Sequence, residues 1–242
     1  SEMCIRDSGN AGANLLGELG PVGGAGLHYA LMSDASRTPT PPTVAVFDAF
    51  AGNDVCIQEL RVALASCGVN ATVTADPAEG VAADGLVLAA SGDASAALQA
   101  FNRVHAPRVV GQRLAGSRPV LAVGAAMDAL FERDAQGQAG FGEWPGGVAK
   151  LAAPVERATV AAAEGSRMLA GGEKFVFDAG TGVSSFELAE DEFIAYPTLS
   201  WVEGLPVLAA VENGPLWAAR FHPERSGEAG SDVLRRWIGQ LG

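Results

Sequence analysis

Strand-forming runs alternate with amphipathic segments in the first half of the chain, from residue 43 onward. Four short runs predict strands, at residues 44–47, 72–74, 85–88 and 120–123. Three segments repeat apolar residues at helical spacing and predict helices, at residues 55–67, 94–104 and 107–114. Apolar strands between helices indicate a parallel sheet covered on both faces, and such sheets bind ligands beyond the carboxyl ends of their strands.

The pattern changes after residue 131, where shorter alternating runs predict antiparallel strands at residues 148–151, 175–177 and 184–188. Two further runs flank Asn213 and Gly214, a dipeptide typical of a tight hairpin turn, at residues 207–211 and 216–221. Residues 232–241 predict a final amphipathic helix. The sequence therefore predicts an α/β domain with a mostly parallel sheet and an antiparallel extension.

Residues 1–42 are rich in Gly, Ala, Ser and Pro and have neither helical nor strand periodicity. We expect a disordered or non-native extension at residues 1–42 and a domain at residues 43–242. Met32 is the expected native start, with residues 1–31 as upstream sequence; a genuine flexible extension is the alternative. The segment lacks the charged start and apolar core of a signal peptide.

The charge balance and the cysteines exclude several classes of function. The formal net charge is −12, whereas nucleic-acid binding needs clustered Lys and Arg, so no nucleic-acid partner is predicted. No segment is apolar enough over a sufficient length to span a membrane. Cys4, Cys56 and Cys67 lack the spacing of metal ligands or of a disulfide framework, so we expect no metal or cofactor and a reducing cytoplasm.

The segment from residue 119 to 131 predicts a buried strand, a sharp turn of small residues and an apolar helix from Met127 onward. This layout is that of a nucleophile elbow, which holds a reactive side chain above the end of a parallel sheet. The position at which the nucleophile would lie is Gly124, which has no side chain.

A second candidate feature is Phe221-His222-Pro223-Glu224, between the predicted hairpin and the last helix. Residues two apart in an extended segment point the same way, so the Glu224 carboxylate can orient the His222 imidazole. A base and the carboxylate that orients it are two thirds of a nucleophile–His–carboxylate triad.

Several segments carry a resemblance to a known family: Val-Ala-Val-Phe-Asp at 44–48 with Gly52-Asn53, Ala-Asp-Gly-Leu-Val at 83–87, Arg-Pro-Val-Leu at 118–121, Leu-Phe-Glu-Arg at 130–133, Gly-Glu-Trp-Pro-Gly at 142–146, Ala-Ala-Val-Glu-Asn-Gly-Pro-Leu-Trp-Ala at 209–218 and Phe-His-Pro-Glu-Arg-Ser-Gly at 221–227. From residue 43 to the C-terminus, though poorly between residues 154 and 200, the chain resembles class I glutamine amidotransferases. It is most similar to the glutaminase subunit of imidazole glycerol-phosphate synthase, of histidine biosynthesis.

The resemblance implies a three-layer, flavodoxin-like fold and a subunit that passes ammonia to a (β/α)8-barrel cyclase. In the family a cysteine thiolate at the elbow attacks glutamine and backbone amides hold the oxyanion. By position, His222 and Glu224 are the catalytic histidine and its carboxylate. Candidate substrate-binding residues are Asp128, Ser91 and Gly92.

The chain departs from the family pattern at several positions around this expected pocket. The elbow motif Gly-x-Cys-x-Gly is Ala-Val-Gly-Ala-Ala at residues 122–126, and the glutamine that follows it is Asp128. The oxyanion loop Pro-Gly-Val-Gly is Ala-Ala-Ser-Gly at residues 89–92. The His-Met-Gly-Trp-Asn segment is missing before Thr159, and Asp178-Ala179-Gly180 stands where Val-His-Ser-Tyr is usual. We therefore expect glutaminase activity to be lost.

Each candidate residue also has a structural interpretation. Asp128 is either a solvated helix residue or a carboxylate that favours a cationic ligand, and Ser91 is a pocket residue or a turn serine. We interpret Cys56 as a buried apolar cysteine rather than a nucleophile. His222 is either a structural histidine tied to Glu224 or a residue with a surviving role.

Three functions remain open, in order of preference. The first is a subunit that docks on the cyclase barrel as a heterodimer without making ammonia. The second is a stand-alone ligand-binding or regulatory pseudoenzyme, although the altered pocket argues against a glutamine-like ligand. The third is an enzyme of different chemistry that uses His222 and Glu224 without a nucleophile.

Overall fold

A computed structural model describes residues 40–186 and 196–241 of the chain. Its strands are β1 (Thr43–Phe47), β2 (Asn70–Thr74), β3 (Gly85–Ala90), β4 (Val120–Gly124), β5 (Phe131–Arg133), β6 (Trp144–Gly147), β7 (Ala149–Ala161), β8 (Lys174–Gly182), β9 (Thr198–Val202), β10 (Leu208–Asn213) and β11 (Leu216–Ala219). Its helices are α1 (Val55–Ser66), α2 (Pro77–Ala82), α3 (Ala94–Arg103), α4 (Ala106–Ala115), α5 (Ala125–Asp128) and α6 (Gly227–Ile238), and a 3-10 turn spans Pro223–Arg225.

The main sheet has nine strands in the order β2-β1-β3-β4-β11-β10-β9-β7-β8. The five strands from β2 to β11 are mutually parallel, and the four from β10 to β8 continue the sheet in antiparallel pairs. A separate pair, β5 and β6, forms a small second sheet. The mostly parallel sheet with an antiparallel extension, predicted from the sequence, is confirmed.

The core lies on both faces of the sheet because alternate residues of each central strand point to opposite sides. In β1, Val44 and Val46 pack with α1 and α6, whereas Ala45 and Phe47 pack with α3 and α4. All four side chains are essentially inaccessible to solvent. The result is three layers, with helices covering both faces of the parallel strands.

Aspartate side chains begin three of the helices that follow parallel strands. Asp54 accepts a hydrogen bond from the Cys56 N–H, Asp76 from the Ala78 N–H and Asp93 from the Ala96 N–H. Such caps satisfy backbone donors that have no partner within the helix. The helix after β4 is different, because its capping position is Gly124 and provides no side-chain acceptor.

Two local predictions are wrong. The helix predicted from Met127 onward is α5, which begins at Ala125 and already ends at Asp128, because the chain turns into β5 three residues later. The strand predicted at residues 184–188 is not present at residues 184–186, and residues 187–188 lie outside the described part. The strand predicted at residues 148–151 is the start of the 13-residue β7.

Most of the predicted extension, residues 1–39, lies outside the described residues. Among the helices described, none combines the length and the apolar character needed to cross a membrane.

Candidate functional site

The elbow between β4 and α5 has the sharp backbone expected of a nucleophile position. Gly124 has φ +65° and ψ −134°, a conformation that is strained for any residue with a side chain. A Cβ added here would clash with the Ala90 carbonyl oxygen and would lie 2.7 Å from His222 Cε1. The surrounding atoms therefore leave no room for a side chain at the elbow.

His222 follows β11 and lies beside this elbow, with its side chain fully buried. Its N–H donates to the Val176 carbonyl, and its carbonyl accepts a hydrogen bond from the Ser226 hydroxyl, so the backbone is fixed on both sides. Imidazole Nδ1 lies 2.8 Å from Glu224 Oε1. The structure thus brings together the histidine and the carboxylate that the sequence placed two residues apart.

The other imidazole nitrogen faces Asp178, on β8. His222 Nε2 lies 2.9 Å from Asp178 Oδ1, but the ring N–H is not aligned with this oxygen, so the contact is an ion pair rather than a hydrogen bond. Asp178 Oδ2 accepts a hydrogen bond of 2.7 Å from the Gly92 N–H, in the loop expected to hold an oxyanion. The Asp178 carboxylate therefore accepts the hydrogen bond from the loop and also contacts the imidazole nitrogen that points away from Glu224.

Arg220 contacts both Asp178 and Asp128. Its Nη1 lies 3.2 Å from Asp178 Oδ1, and its Nε lies 3.1 Å from Asp128 Oδ2. Thr181 Oγ1 donates a further hydrogen bond of 2.9 Å to the same Asp128 oxygen. Asp128 is buried, so it is not a solvated helix residue, and the cation that it binds is an arginine of the chain.

The contacts between these acidic and basic side chains determine the protonation states of His222 and Asp178. Burial alone would lower the pKa of His222, but the contacts of the imidazole with the Asp178 and Glu224 carboxylates outweigh it and raise that pKa to about 9. Burial would raise the pKa of Asp178, yet the imidazolium, the Gly92 N–H and Arg220 hold it well below its usual range. At neutral pH the imidazole is therefore a cation between two carboxylates.

The pKa of Asp128 is shifted in the opposite direction to that of Asp178. Burial raises it, and the contacts with Arg220 and Thr181 only partly compensate.

Ser91 lies next to Gly92 but turns toward α1. Its N–H and its hydroxyl both donate to the Asp54 carboxylate, at 2.8 and 2.9 Å. Asp54 also caps α1, so the Ser91 hydroxyl fixes the loop to the helix. This arrangement matches the turn-serine interpretation; its role in substrate binding stays a prediction.

Cys56 lies close to His222 and Glu224, a proximity that the sequence did not indicate. Its sulfur and one donor atom each of His222 and Glu224 lie within 4.8 Å of one another, a set that could hold a metal ion. Glu224 Oε1, however, is already hydrogen-bonded to the imidazole and lies 3.8 Å from the cationic Arg225 Nε. Burial and the nearby Asp54 also raise the pKa of the Cys56 thiol, so it is a poor nucleophile.

A cavity of about 620 Å³ opens beside Asp178. Its lining combines the loop after β3, the start of α3 and the strands β7 and β8, and includes Gly92, Asp93, Lys150, Asp178 and Thr181. The Asp178 side chain is 27% exposed, whereas those of Arg220 and His222 are fully buried behind it. The carboxylate therefore separates the buried cations from the cavity.

Sequence reasoning missed Arg220 and did not assign a role to Asp178. One signal was available for the arginine: it lies in the apolar strand predicted at residues 216–221, two residues before His222, where strand alternation would put both side chains on one side. An arginine there needs a buried acceptor. No comparable local signal identifies Asp178.

No protein-family model matches the chain. Curated relatives match it over nearly their whole length. The imidazole glycerol phosphate synthase subunit HisH of Thermobifida fusca is 39% identical over 212 residues, which are 83% of this chain and 99% of the relative. The subunit of the same name from Nocardia farcinica is 40% identical over 213 residues, 84% of this chain and 100% of the relative. The chain belongs to the HisH family.

Solved structures support the fold of this HisH-family chain. A putative GMP synthase subunit from Thermoplasma acidophilum superposes with a TM-score of 0.59 at 18% identity, covering 83% of this chain and 94% of that one. A glutamine amidotransferase structure superposes with a TM-score of 0.60 at 16% identity, covering 82% and 97%. The predicted flavodoxin-like class I glutamine amidotransferase fold is confirmed.

Proposed function

We propose that this HisH-family chain is a glutamine amidotransferase-type subunit of imidazole glycerol-phosphate synthase that no longer hydrolyses glutamine. The observation that carries the proposal is the elbow. Gly124 has no side chain there, and the imidazole nitrogen of His222 that would face a nucleophile contacts Asp178 instead. Removal of the nucleophile from a hydrolase triad lowers turnover by about a millionfold.

Two further features of the site support the loss of activity. The Gly92 N–H is the loop donor available for an oxyanion, and it is already bound to Asp178. His222, with a pKa raised to about 9, is protonated at neutral pH and cannot accept a proton from water. The same protonation argues against an enzyme of different chemistry that would use His222 and Glu224 as a base.

The retained role that we propose is docking, as a heterodimer in the cytoplasm, on the (β/α)8-barrel cyclase subunit. The relatives are named as subunits, and the chain spans 99–100% of the two quoted above. The segment at residues 142–146, which leads into β6, is held in place because Trp144 packs on Phe131 and Phe186 with ring centroids 5.4 and 6.3 Å apart.

The cavity beside Asp178 favours a second candidate, a stand-alone ligand-binding or regulatory protein. Its volume of about 620 Å³ is in the range of small-molecule sites, and Lys150 and Asp93 provide opposite charges on its wall. A zwitterionic amino acid or an amine would fit this chemistry.

The test uses the purified chain with and without its cyclase subunit. We expect the two to elute as one complex in size-exclusion chromatography, and the complex to release no glutamate from glutamine above the buffer rate. With ammonium salts in place of glutamine, the cyclase should turn over normally. A glutamine-mimicking alkylating agent should modify no residue at the site.

The two parts of the proposal fail separately. Glutamine hydrolysis, or alkylation of a residue beside His222, would contradict the loss of the glutaminase reaction. Elution as separate proteins would contradict the docking role, and a thermal shift that grows with the concentration of an amino acid or amine would then support the second candidate.

A further inference from the structure

The Asp178 carboxylate contacts three nitrogen groups that converge from two segments of the chain. The Gly92 N–H donates from the loop after β3, at 2.7 Å. Arg220 Nη1 and His222 Nε2 approach Oδ1 from the end of β11, at 3.2 and 2.9 Å. Two of the three are buried cations, and hydrogen bonds to ionised groups are about twice as strong as neutral ones.

The tethered aspartate leaves two nearby nitrogen donors without a hydrogen bond. Arg220 Nη2 and His222 Nε2 are both buried, and neither has a hydrogen-bond partner among the described residues. A buried N–H of a cation without an acceptor is costly, and such groups normally have a partner such as an ordered water or an ion. A tethered side chain must reach the donors from the strand, whereas a free carboxylate can turn to align with them.

We propose that Gly92, Arg220 and His222 form a binding site for a small carboxylate, and that Asp178 is its built-in ligand. The ligand class is a monocarboxylate of the size of formate or acetate, because it replaces the single carboxyl group of Asp178. It would enter through the cavity on which Asp178 borders. The inference concerns binding alone and does not depend on the loss of glutamine hydrolysis or on docking.

Tethering explains why the native site keeps its own ligand. A group attached to the chain has an effective concentration that reaches the millimolar range or more, so a free carboxylate of similar affinity does not displace it at lower concentration. The site becomes available to a free carboxylate when the Asp178 side chain is removed.

The experiment is a rescue of Asp178→Ala by sodium formate, with sodium chloride at equal ionic strength as reference. We expect the melting temperature of this variant to rise with formate concentration, by about 4 °C at ten times the dissociation constant. By NMR, the His222 pKa should fall in the variant, since a neighbouring carboxylate is lost, and rise again when formate is added.

Two controls locate the effect. Asp178→Asn keeps a side chain of the same shape in the site and should not respond to formate, like the unchanged protein. Asp178→Ala combined with Arg220→Gln removes a donor and should lose at least most of the response. If Asp178→Ala does not fold in chloride, recovery of folded protein on refolding in formate replaces the thermal measurement.

Formate-dependent shifts of equal size in all variants would place the anion elsewhere and overturn the proposal. The absence of any shift, or equal refolding yields in formate and chloride, would overturn it as well.

Discussion

His222 Nε2 lies 2.9 Å from Asp178 Oδ1, so the imidazole of the segment after β11 faces a carboxylate from β8. The contact belongs to a continuous series of acidic and basic side chains in contact, formed by Asp128, Arg220, Asp178, His222 and Glu224. Buried charges are tolerated only when they are paired, so each member of the series depends on the next. The altered residues of this site therefore act as one unit.

Gly124→Ala should destabilise the fold. The substituted residue must adopt φ +65°, and its Cβ would overlap the Ala90 carbonyl oxygen and press on His222. We expect a loss of about 2–4 kcal/mol in the free energy of unfolding, measured with urea. Gly180→Ala is the matched control, because a Cβ there meets nothing within 4 Å and φ is not positive. An unchanged or higher stability of the Gly124 variant would contradict this expectation.

Gly124→Cys alone should not restore glutamine hydrolysis. The thiol would require a shift of the Ala90 backbone, and Asp178 would still occupy His222 and the Gly92 N–H. We expect the release of glutamate by the complex with the cyclase to stay at the buffer rate. Measurable turnover by this single variant would show that the site needs only its nucleophile.

The parts of the site that could be predicted from the sequence are those fixed by local geometry. The strand and turn around Gly124 are contiguous in the chain, and the pairing of His222 with Glu224 needs only a spacing of two residues. Asp178 and Arg220 meet 42 residues apart, through the placement of β8 relative to β11. No periodicity of hydrophobic residues determines which polar groups such a placement brings together.

The error at α5 has a similar cause. Met127, Ala129 and Leu130 are buried, as in a buried apolar helix. The helix ends early because Phe131 pairs with Trp144, which is distant in the chain, in the small β5–β6 sheet. The pairing of β5 with β6 therefore overrides the local helical preference of this segment.

Removal of Arg220 should be more costly than removal of an exposed arginine. Arg220→Gln leaves Asp128 and Asp178 without their shared cation, and breaking a buried ion pair from one side costs about 3–5 kcal/mol. Urea unfolding of the variant measures this loss.

Arg235→Gln is the control, because the Arg235–Asp232 pair is exposed and its loss should cost about 0.5 kcal/mol or less. Adding Asp128→Asn to Arg220→Gln should recover part of the stability. Equal effects of the two arginine variants would show that the series of charges is not coupled.

The raised pKa of His222 should make stability fall in alkaline solution. The folded pKa is about 9 and the ordinary value is 6.5, so the histidine contributes fully below pH 6.5. The contribution is lost as the pH rises through 9, because the folded imidazole then releases its proton. We expect a decrease of up to about 3 kcal/mol between pH 6.5 and 9.5.

Urea unfolding across this range measures the effect, and His222→Gln provides the reference. The variant should be less stable at pH 6.5 and should have a flatter profile, since its side chain does not titrate. A profile of the variant parallel to that of the unchanged protein would assign the pH dependence to other groups.

Gly230→Ala should lower stability by displacing α6 from the segment that carries His222. Gly230 lies in α6 against Pro223, and an added Cβ would overlap the Pro223 carbonyl oxygen. Because this oxygen is backbone, the helix must move away from the segment that carries His222. We expect a loss of about 1–3 kcal/mol, although alanine is the better helix former. Gly111→Ala in α4 separates the two effects: a Cβ there meets nothing within 4 Å, so this control should gain about 0.5–1 kcal/mol. A gain at both positions would show that α6 does not press on Pro223.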